Sequence, residues 1–138
     1  MGRNYKVNYD LTYQQDQTKF GNYDISYVSK GTILSNIDGL PVGMSNPHTG
    51  IIKVDLETMR EKFIQKAWRY SRNSEPLNYD FTTFEEFMAF ALTHEVMHDK
   101  FKIRPGEARY NYETRINNEA LKLIQESKNP IKEIYNPK

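Results

Sequence analysis

The chain has 138 residues, nineteen basic and eighteen acidic side chains, and a formal net charge of +1. This length predicts one domain with a single modest core, and the near-neutral charge argues against nucleic acid or an acidic membrane as a partner. Because the chain has no cysteine, disulfides and thiolate metal sites are excluded. Histidine and carboxylate side chains are then the strong metal ligands that remain.

Alternating apolar and polar side chains predict strands in the first part of the chain. Residues 4–13 alternate strictly, and Tyr23, Ile25 and Tyr27 alternate again after a polar segment, which favours an antiparallel pair. Turn-forming residues then cluster up to Gly50. The segment IIKVDL, residues 51–56, predicts a third strand, whose open edge could add an extended peptide to the sheet.

Apolar residues at a spacing of three and four predict three helices. They cover Leu56–Tyr70, Thr82–Lys102 and Glu107–Ser127. A proline-containing linker separates the first two, and Arg104-Pro105-Gly106 separates the last two. Two long helices joined by a short turn run antiparallel.

We therefore expect one domain over residues 1–138, with strands in residues 4–56, helices in residues 57–127 and an irregular tail over residues 128–138. The predicted fold class is α+β, with a small, mostly antiparallel sheet packed against three helices.

The segment that carries chemistry is HEVMH, residues 94–98. Two overlapping capping boxes, of which the first begins at Thr82, predict that it lies on a helix. Residues four apart share one helical face, so His94 and His98 can bind one metal ion. Glu95 is placed to take a proton from a water at that ion, which is how a zinc site hydrolyses an amide bond.

The simpler interpretation is that these histidines are hydrogen-bonded core residues, as a lone histidine on an apolar stripe usually is. Two of the three histidines in the chain lie four residues apart, however, and a glutamate follows the first. Chance gives this pattern in roughly one chain in two hundred of such composition. The sequence therefore favours a metal site.

A zinc site needs a third protein ligand, with water in the fourth position. Helices that turn near residue 104 bring residues 112–114 level with the histidines, at ~1.5 Å per residue. This register favours Glu113, and Glu119 is the alternative if the turn is longer or offset. Asn117, one turn after Glu113, can hydrogen-bond a ligand. The full set of candidates for the third ligand is His48, Asp99, Glu107, Glu113 and Glu119.

The motif and the glutamate-bearing helix that follows it resemble the zincin metallopeptidases, in which two histidines and one acidic residue bind zinc. The short single domain is similar to the ImmA/IrrE-type proteases and to small phage-encoded metallopeptidases. The second helix of that group typically reads Glu-x-x-Ala-Asn-x-Phe-Ala and then two leucines. The corresponding residues here are Glu113, Asn117, Ala120, Leu123 and Ile124. The tripeptide 118–120 is instead similar to the Asn-Glu-Ala of thermolysin-like enzymes, and this alignment would give the ligand role to Glu119.

The resemblance implies a zinc-dependent peptidase that hydrolyses peptide bonds of a protein or peptide substrate. His94, His98 and Glu113 would bind Zn²⁺, and Glu95 would be the general base. The donor of a hydrogen bond to the oxyanion is not assigned, and the candidates are Tyr110, Tyr112 and His48. The alternative is a catalytically silent zincin-like scaffold that serves as a structural protein, for instance of a virion, or as a regulatory binding protein.

The sequence also bears on location and partners. No apolar run approaches the length of a membrane span, and the first ten residues lack the apolar core of a signal peptide. We therefore expect a cytoplasmic protein without a membrane partner, which would lie in the host cytoplasm or the virion if it is phage-encoded. A SprT-like protease that acts on DNA-bound proteins is disfavoured, because the near-neutral charge and the lack of an added basic or zinc-ribbon module leave little to hold DNA.

Overall fold

The computed structural model describes residues 12–33 and 50–127. Within them lie strands β1 (Lys19–Phe20), β2 (Tyr23–Val28) and β3 (Ile51–Asp55), helix α1 (Leu56–Gln65), a short 3-10 helix (Ala67–Tyr70), and helices α2 (Phe84–Lys100) and α3 (Arg109–Ser127). The predicted α+β class, with a small sheet and three helices, is confirmed. The predicted strand over residues 4–13, apart from its last two residues, lies outside the described residues, as do His48 and the tail from residue 128.

The sheet is mixed, so the prediction of a mostly antiparallel sheet is wrong. Its strand order is β1-β2-β3. β1 and β2 form a short antiparallel hairpin, whereas β2 and β3 are parallel over five residue pairs. The connection from β2 to β3 is long enough to bring the chain back to the same end of the sheet, as parallel strands require. Hydrophobic periodicity reports which face of a strand is buried but not the direction of its neighbour.

The start of α1 is fixed by a buried aspartate. Asp55 is 1% exposed, and its carboxylate accepts hydrogen bonds from the Thr58 backbone N–H at 3.0 Å, the Thr58 hydroxyl at 2.9 Å and the Gly31 N–H at 2.8 Å. Burial alone would raise the pKa of this carboxyl, but these hydrogen bonds outweigh burial and lower it. Asp55 therefore joins the end of β3 to α1 and to the segment after β2.

α1 ends at Gln65, so the prediction of one helix over Leu56–Tyr70 is wrong in its last turn. Lys66 adopts a left-handed conformation with φ of 53°, and its N–H bonds the carbonyls of the preceding turn. The following 3-10 helix places Trp68 in the core at 5% exposure. The indole N–H donates to the Tyr79 carbonyl at 2.7 Å, and the ring lies 4.9 Å from Phe81. Core packing of Trp68 thus overrides the helical spacing.

α2 is the central element of the described fold and packs against both α1 and α3. Its first turn is capped as predicted, because the Thr83 hydroxyl accepts from the Glu86 N–H at 3.1 Å, and the Glu86 carboxylate accepts in return from the Thr82 N–H at 2.7 Å. Every residue from Phe87 to Thr93 is buried. The motif that follows is thereby held by a rigid helix.

The turn between α2 and α3 is held by one ion pair. The Arg115 guanidinium donates to both carboxylate oxygens of Glu107, at 3.0 and 2.8 Å, and to the Lys102 carbonyl at 3.0 Å. The Arg104 N–H also donates to Glu107, at 2.9 Å. The hydrogen bonds from Arg115 and Arg104 lower the pKa of Glu107 to about 2. Because Glu107 is used in this turn, α3 begins two residues later than the spacing predicts, at Arg109.

None of the helices in the described ranges is sufficiently long and apolar to cross a bilayer.

Candidate metal centre

Three side chains from α2 and α3 converge on one point. His94 Nε2 lies 3.1 Å from His98 Nε2, and Glu113 Oε1 lies 3.3 Å from each of them. The two histidines are one turn apart on α2, and the glutamate comes from the facing turn of α3. Their side chains are only 14 to 19% exposed. This His-His-Glu group can hold a metal ion.

The tautomer of His98 follows from its hydrogen bonds. The Tyr112 hydroxyl lies 2.7 Å from the Phe101 carbonyl oxygen and 3.0 Å from His98 Nδ1. A carbonyl oxygen can only accept, so the hydroxyl proton is donated to Phe101 and the hydroxyl oxygen accepts the Nδ1–H of His98. Burial, together with the nearby charge of Glu113, raises the pKa of Tyr112 and keeps this hydroxyl protonated. His98 Nε2 therefore carries a free lone pair.

His94 is held by a second chain of hydrogen bonds. Its Nδ1 lies 2.7 Å from the Asn117 side-chain oxygen, and the Asn117 amide nitrogen donates to the Ser74 hydroxyl at 3.0 Å. Ser74 is 3% exposed and belongs to the segment between the 3-10 helix and α2. In this arrangement the amide oxygen accepts from Nδ1–H, so the Nε2 lone pair of His94 also points into the cluster. A hydrogen bond between Asn117 and one of the two motif histidines is therefore present.

Three electron-rich atoms without a proton between them repel one another unless a cation lies among them. A proton on His94 Nε2, beside Glu113 Oε1, serves as that cation when no metal ion is bound. Burial works against a charged His94, but the hydrogen bond to Glu113 and the charges of Glu95 and Glu113 outweigh burial and raise its pKa. Burial alone would raise the pKa of Glu113, yet hydrogen bonds with His94 and His98 hold it well below its usual range. The cluster therefore favours a positive charge on His94 beside the carboxylate of Glu113.

Arg109 orients the carboxylate of Glu113. Its guanidinium lies 3.0 Å from Glu113 Oε2, four residues along α3, whereas Glu113 Oε1 is the atom that faces the histidines. The Arg109 side chain is 71% exposed and stands at the solvent side of the cluster. Glu113 therefore presents one oxygen to the site and keeps the other on an arginine, an arrangement suited to monodentate ligation.

Glu95 lies beside the cluster and outside it. It is 8% exposed, and its Oε2 is 3.9 Å from His94 Nε2. A carboxylate at this position is near enough to exchange a proton with a molecule bound at the cluster. The structure thus places Glu95 next to the three converging atoms without using it as one of them.

The other predicted site residues lie elsewhere. Glu119 lines a separate apolar cavity of about 180 Å³ together with Thr93 and Leu123, so it is not a member of the His-His-Glu group. The hydroxyl of Tyr112, a candidate oxyanion donor, donates to the Phe101 carbonyl at 2.7 Å, and its role toward an oxyanion stays a prediction. Tyr110 is 46% exposed.

Two residues of the site were not predicted from the sequence. Arg109 precedes Glu113 by four positions on a predicted helix, and this spacing alone could have indicated the ion pair. No local pattern marks Ser74, which lies 43 residues before Asn117. Its contact depends on how the linker folds back over α3.

The arrangement joins a cluster that could hold a metal ion to an adjacent buried carboxylate, the combination that metal-assisted hydrolysis requires. No protein-family model matches the chain, and comparisons with curated proteins and with solved structures give no match either.

Proposed function

We propose that this chain is a zinc-dependent metallopeptidase of the zincin type, which hydrolyses peptide bonds in a protein or peptide substrate. One observation carries the proposal. The two Nε2 atoms and Glu113 Oε1 form a triangle with sides of 3.1 to 3.3 Å. Tetrahedral ligands at 2.0 to 2.1 Å from zinc lie about 3.3 Å apart, so the triangle has the size of one face of a zinc coordination sphere.

The types of donor atom also favour zinc. Calcium and magnesium bind oxygen ligands, and calcium needs six to eight of them. Two imidazole nitrogens and one carboxylate oxygen suit zinc and its transition-metal neighbours instead. Three protein ligands also leave a coordination position open, as catalytic zinc sites require and structural sites do not.

A zinc ion held by His94, His98 and Glu113 would supply a Lewis acid that activates water and polarises the scissile carbonyl group. Glu95 takes a proton from the attacking water and returns it to the leaving nitrogen, so the peptide and one water become a carboxylate and an amine. The partners of the ligands keep them in register: Asn117 and Tyr112 hold the imidazole rings, and Arg109 holds the carboxylate.

The proposal is tested with purified protein and the variant Glu95→Gln, with Glu85→Gln, an exposed residue on the same helix, as the matched control. We expect about one zinc per chain by mass spectrometry in all three proteins. Cleavage of a denatured protein substrate, followed by mass spectrometry of the products, should fall by at least about a hundredfold in Glu95→Gln alone.

Two outcomes contradict the proposal. A wild-type protein that takes up no zinc under zinc-replete conditions would mean that the histidines are hydrogen-bonded core residues. A protein that binds zinc but cleaves a broad peptide library no faster than Glu95→Gln does would be the catalytically silent scaffold, in which the metal serves stability.

A further inference from the structure

The turn between α2 and α3 reaches the candidate metal centre through one hydroxyl group. Tyr112 lies in the first turns of α3 and is 4% exposed. Its oxygen contacts the carbonyl of Phe101, the C-cap residue that directly follows α2, and Nδ1 of the His98 ring. The same hydroxyl thus bonds both the first backbone group of the turn and a side chain of the metal cluster.

Each of these two hydrogen bonds has a fixed donor and a fixed acceptor. The backbone carbonyl of Phe101 has no proton to give, so it always takes the hydroxyl proton. The only role left to the hydroxyl oxygen toward His98 is that of acceptor, which requires the imidazole proton on Nδ1.

We propose that Tyr112 is a positioning residue that sets the Nδ1–H tautomer of His98 and so keeps the Nε2 lone pair available to a metal ion. The inference rests on the proposed function for its metal, whereas the tautomer itself is a property of the chain. Tyr112 touches neither substrate nor metal in this role and acts through His98.

The position of the hydroxyl depends in turn on the conformation of the α2–α3 connection. The Tyr112 ring lies against His98, at 5.2 Å between ring centroids, and between two guanidinium groups, with Arg109 at 5.5 Å and Arg115 at 5.3 Å from its centroid. Arg115 also binds the Lys102 carbonyl. The ring is therefore fixed by packing, and removal of the hydroxyl alone leaves those contacts in place.

The decisive experiment compares wild-type protein with Tyr112→Phe and with Tyr110→Phe, a hydroxyl removed from an exposed position on the same helix. Zinc affinity is measured by competition with a chelator. The tautomer of each histidine ring is read from long-range proton–nitrogen NMR correlations in metal-free protein. Loss of a hydrogen-bond partner of a ligand typically weakens metal binding about 10- to 100-fold.

We expect that weakening in Tyr112→Phe, together with a shift of His98 toward the Nε2–H tautomer, and wild-type behaviour in Tyr110→Phe. Zinc binding and a His98 tautomer that both stay unchanged in Tyr112→Phe would overturn the inference. So would a wild-type spectrum in which metal-free His98 carries its proton on Nε2, and this test needs no variant to fold. Failure of wild-type protein to bind zinc would instead overturn the proposed function.

Discussion

Zinc should raise the melting temperature of this protein by an amount that depends on the carboxylate of Glu113 and not on that of Glu119. A ligand at a hundred times its dissociation constant stabilises the folded state by about 2.7 kcal/mol. At about 2.1 cal/mol/K per residue, a chain of 138 residues unfolds with an entropy of about 0.29 kcal/mol/K. The ratio of these two quantities gives a shift of about 9 °C for wild-type protein.

Glu113→Gln removes the negative charge of the carboxylate whose Oε1 lies 3.3 Å from both imidazole nitrogens. If the affinity falls a hundredfold, the same zinc concentration equals the dissociation constant, and the stabilisation drops to about 0.4 kcal/mol, or about 1 °C. Glu119→Gln is the matched control, because it makes the same chemical change on α3 at a residue that lines the separate cavity. It should retain the full shift.

The assay is differential scanning calorimetry of each protein with excess zinc and with a chelator. The difference between the two scans isolates the contribution of the metal from any change in the metal-free protein. An equal zinc shift in Glu113→Gln and wild-type protein would refute Glu113 as the third ligand. Loss of the shift in Glu119→Gln alone would favour the alignment with thermolysin-like enzymes.

Two further predictions concern the elements that support the site. The pKa of Glu107 falls from 4.5 to about 2 on folding. The contribution of this carboxylate to stability is therefore present above pH 4.5 and is lost as the pH falls through about 2. The difference in melting temperature between wild-type protein and Glu107→Gln should be largest near neutral pH and should shrink in acid. Asp55→Ala should lower the free energy of unfolding, measured in urea, by about 2 kcal/mol. This is the upper end of the range for an N-cap residue, and it is expected because Asp55 also binds Gly31. An unchanged urea midpoint would contradict this prediction.

The metal cluster could be predicted from the sequence because its information is local. His94 and His98 share one helical face by virtue of their spacing, and the short turn then fixes which residues of α3 lie opposite them. Helix geometry alone therefore favoured Glu113 over Glu119. This prediction requires a short turn between α2 and α3, and the ion pair between Glu107 and Arg115 holds the turn in that conformation.

The features that escaped prediction depend on contacts between distant segments. The end of α1 at Gln65 follows from the packing of Trp68 against Phe81 and Phe87, which no window of the sequence contains. The parallel pairing of β2 and β3 depends likewise on the path of the connection between them. Periodicity identifies the buried face of an element, but neither its partner nor its direction.

The two histidine rings are held from opposite sides by segments that are not helical. Burial of α2 fixes the positions of their backbones, but rotation of the rings is set by Ser74 through Asn117 for His94 and by the Phe101 carbonyl through Tyr112 for His98. The linker before α2 is tied to α3 a second time, since the Glu75 N–H donates to the Thr114 hydroxyl at 2.8 Å.

The two helices therefore bring the three side chains of the cluster together, whereas the connections at the two ends of α2 orient the histidine rings. A pair of helices with the same motif but different connections would keep the spacing and lose the tautomers. Spacing is the part of a metal site that a sequence motif encodes, and ring orientation is the part that the rest of the fold must supply.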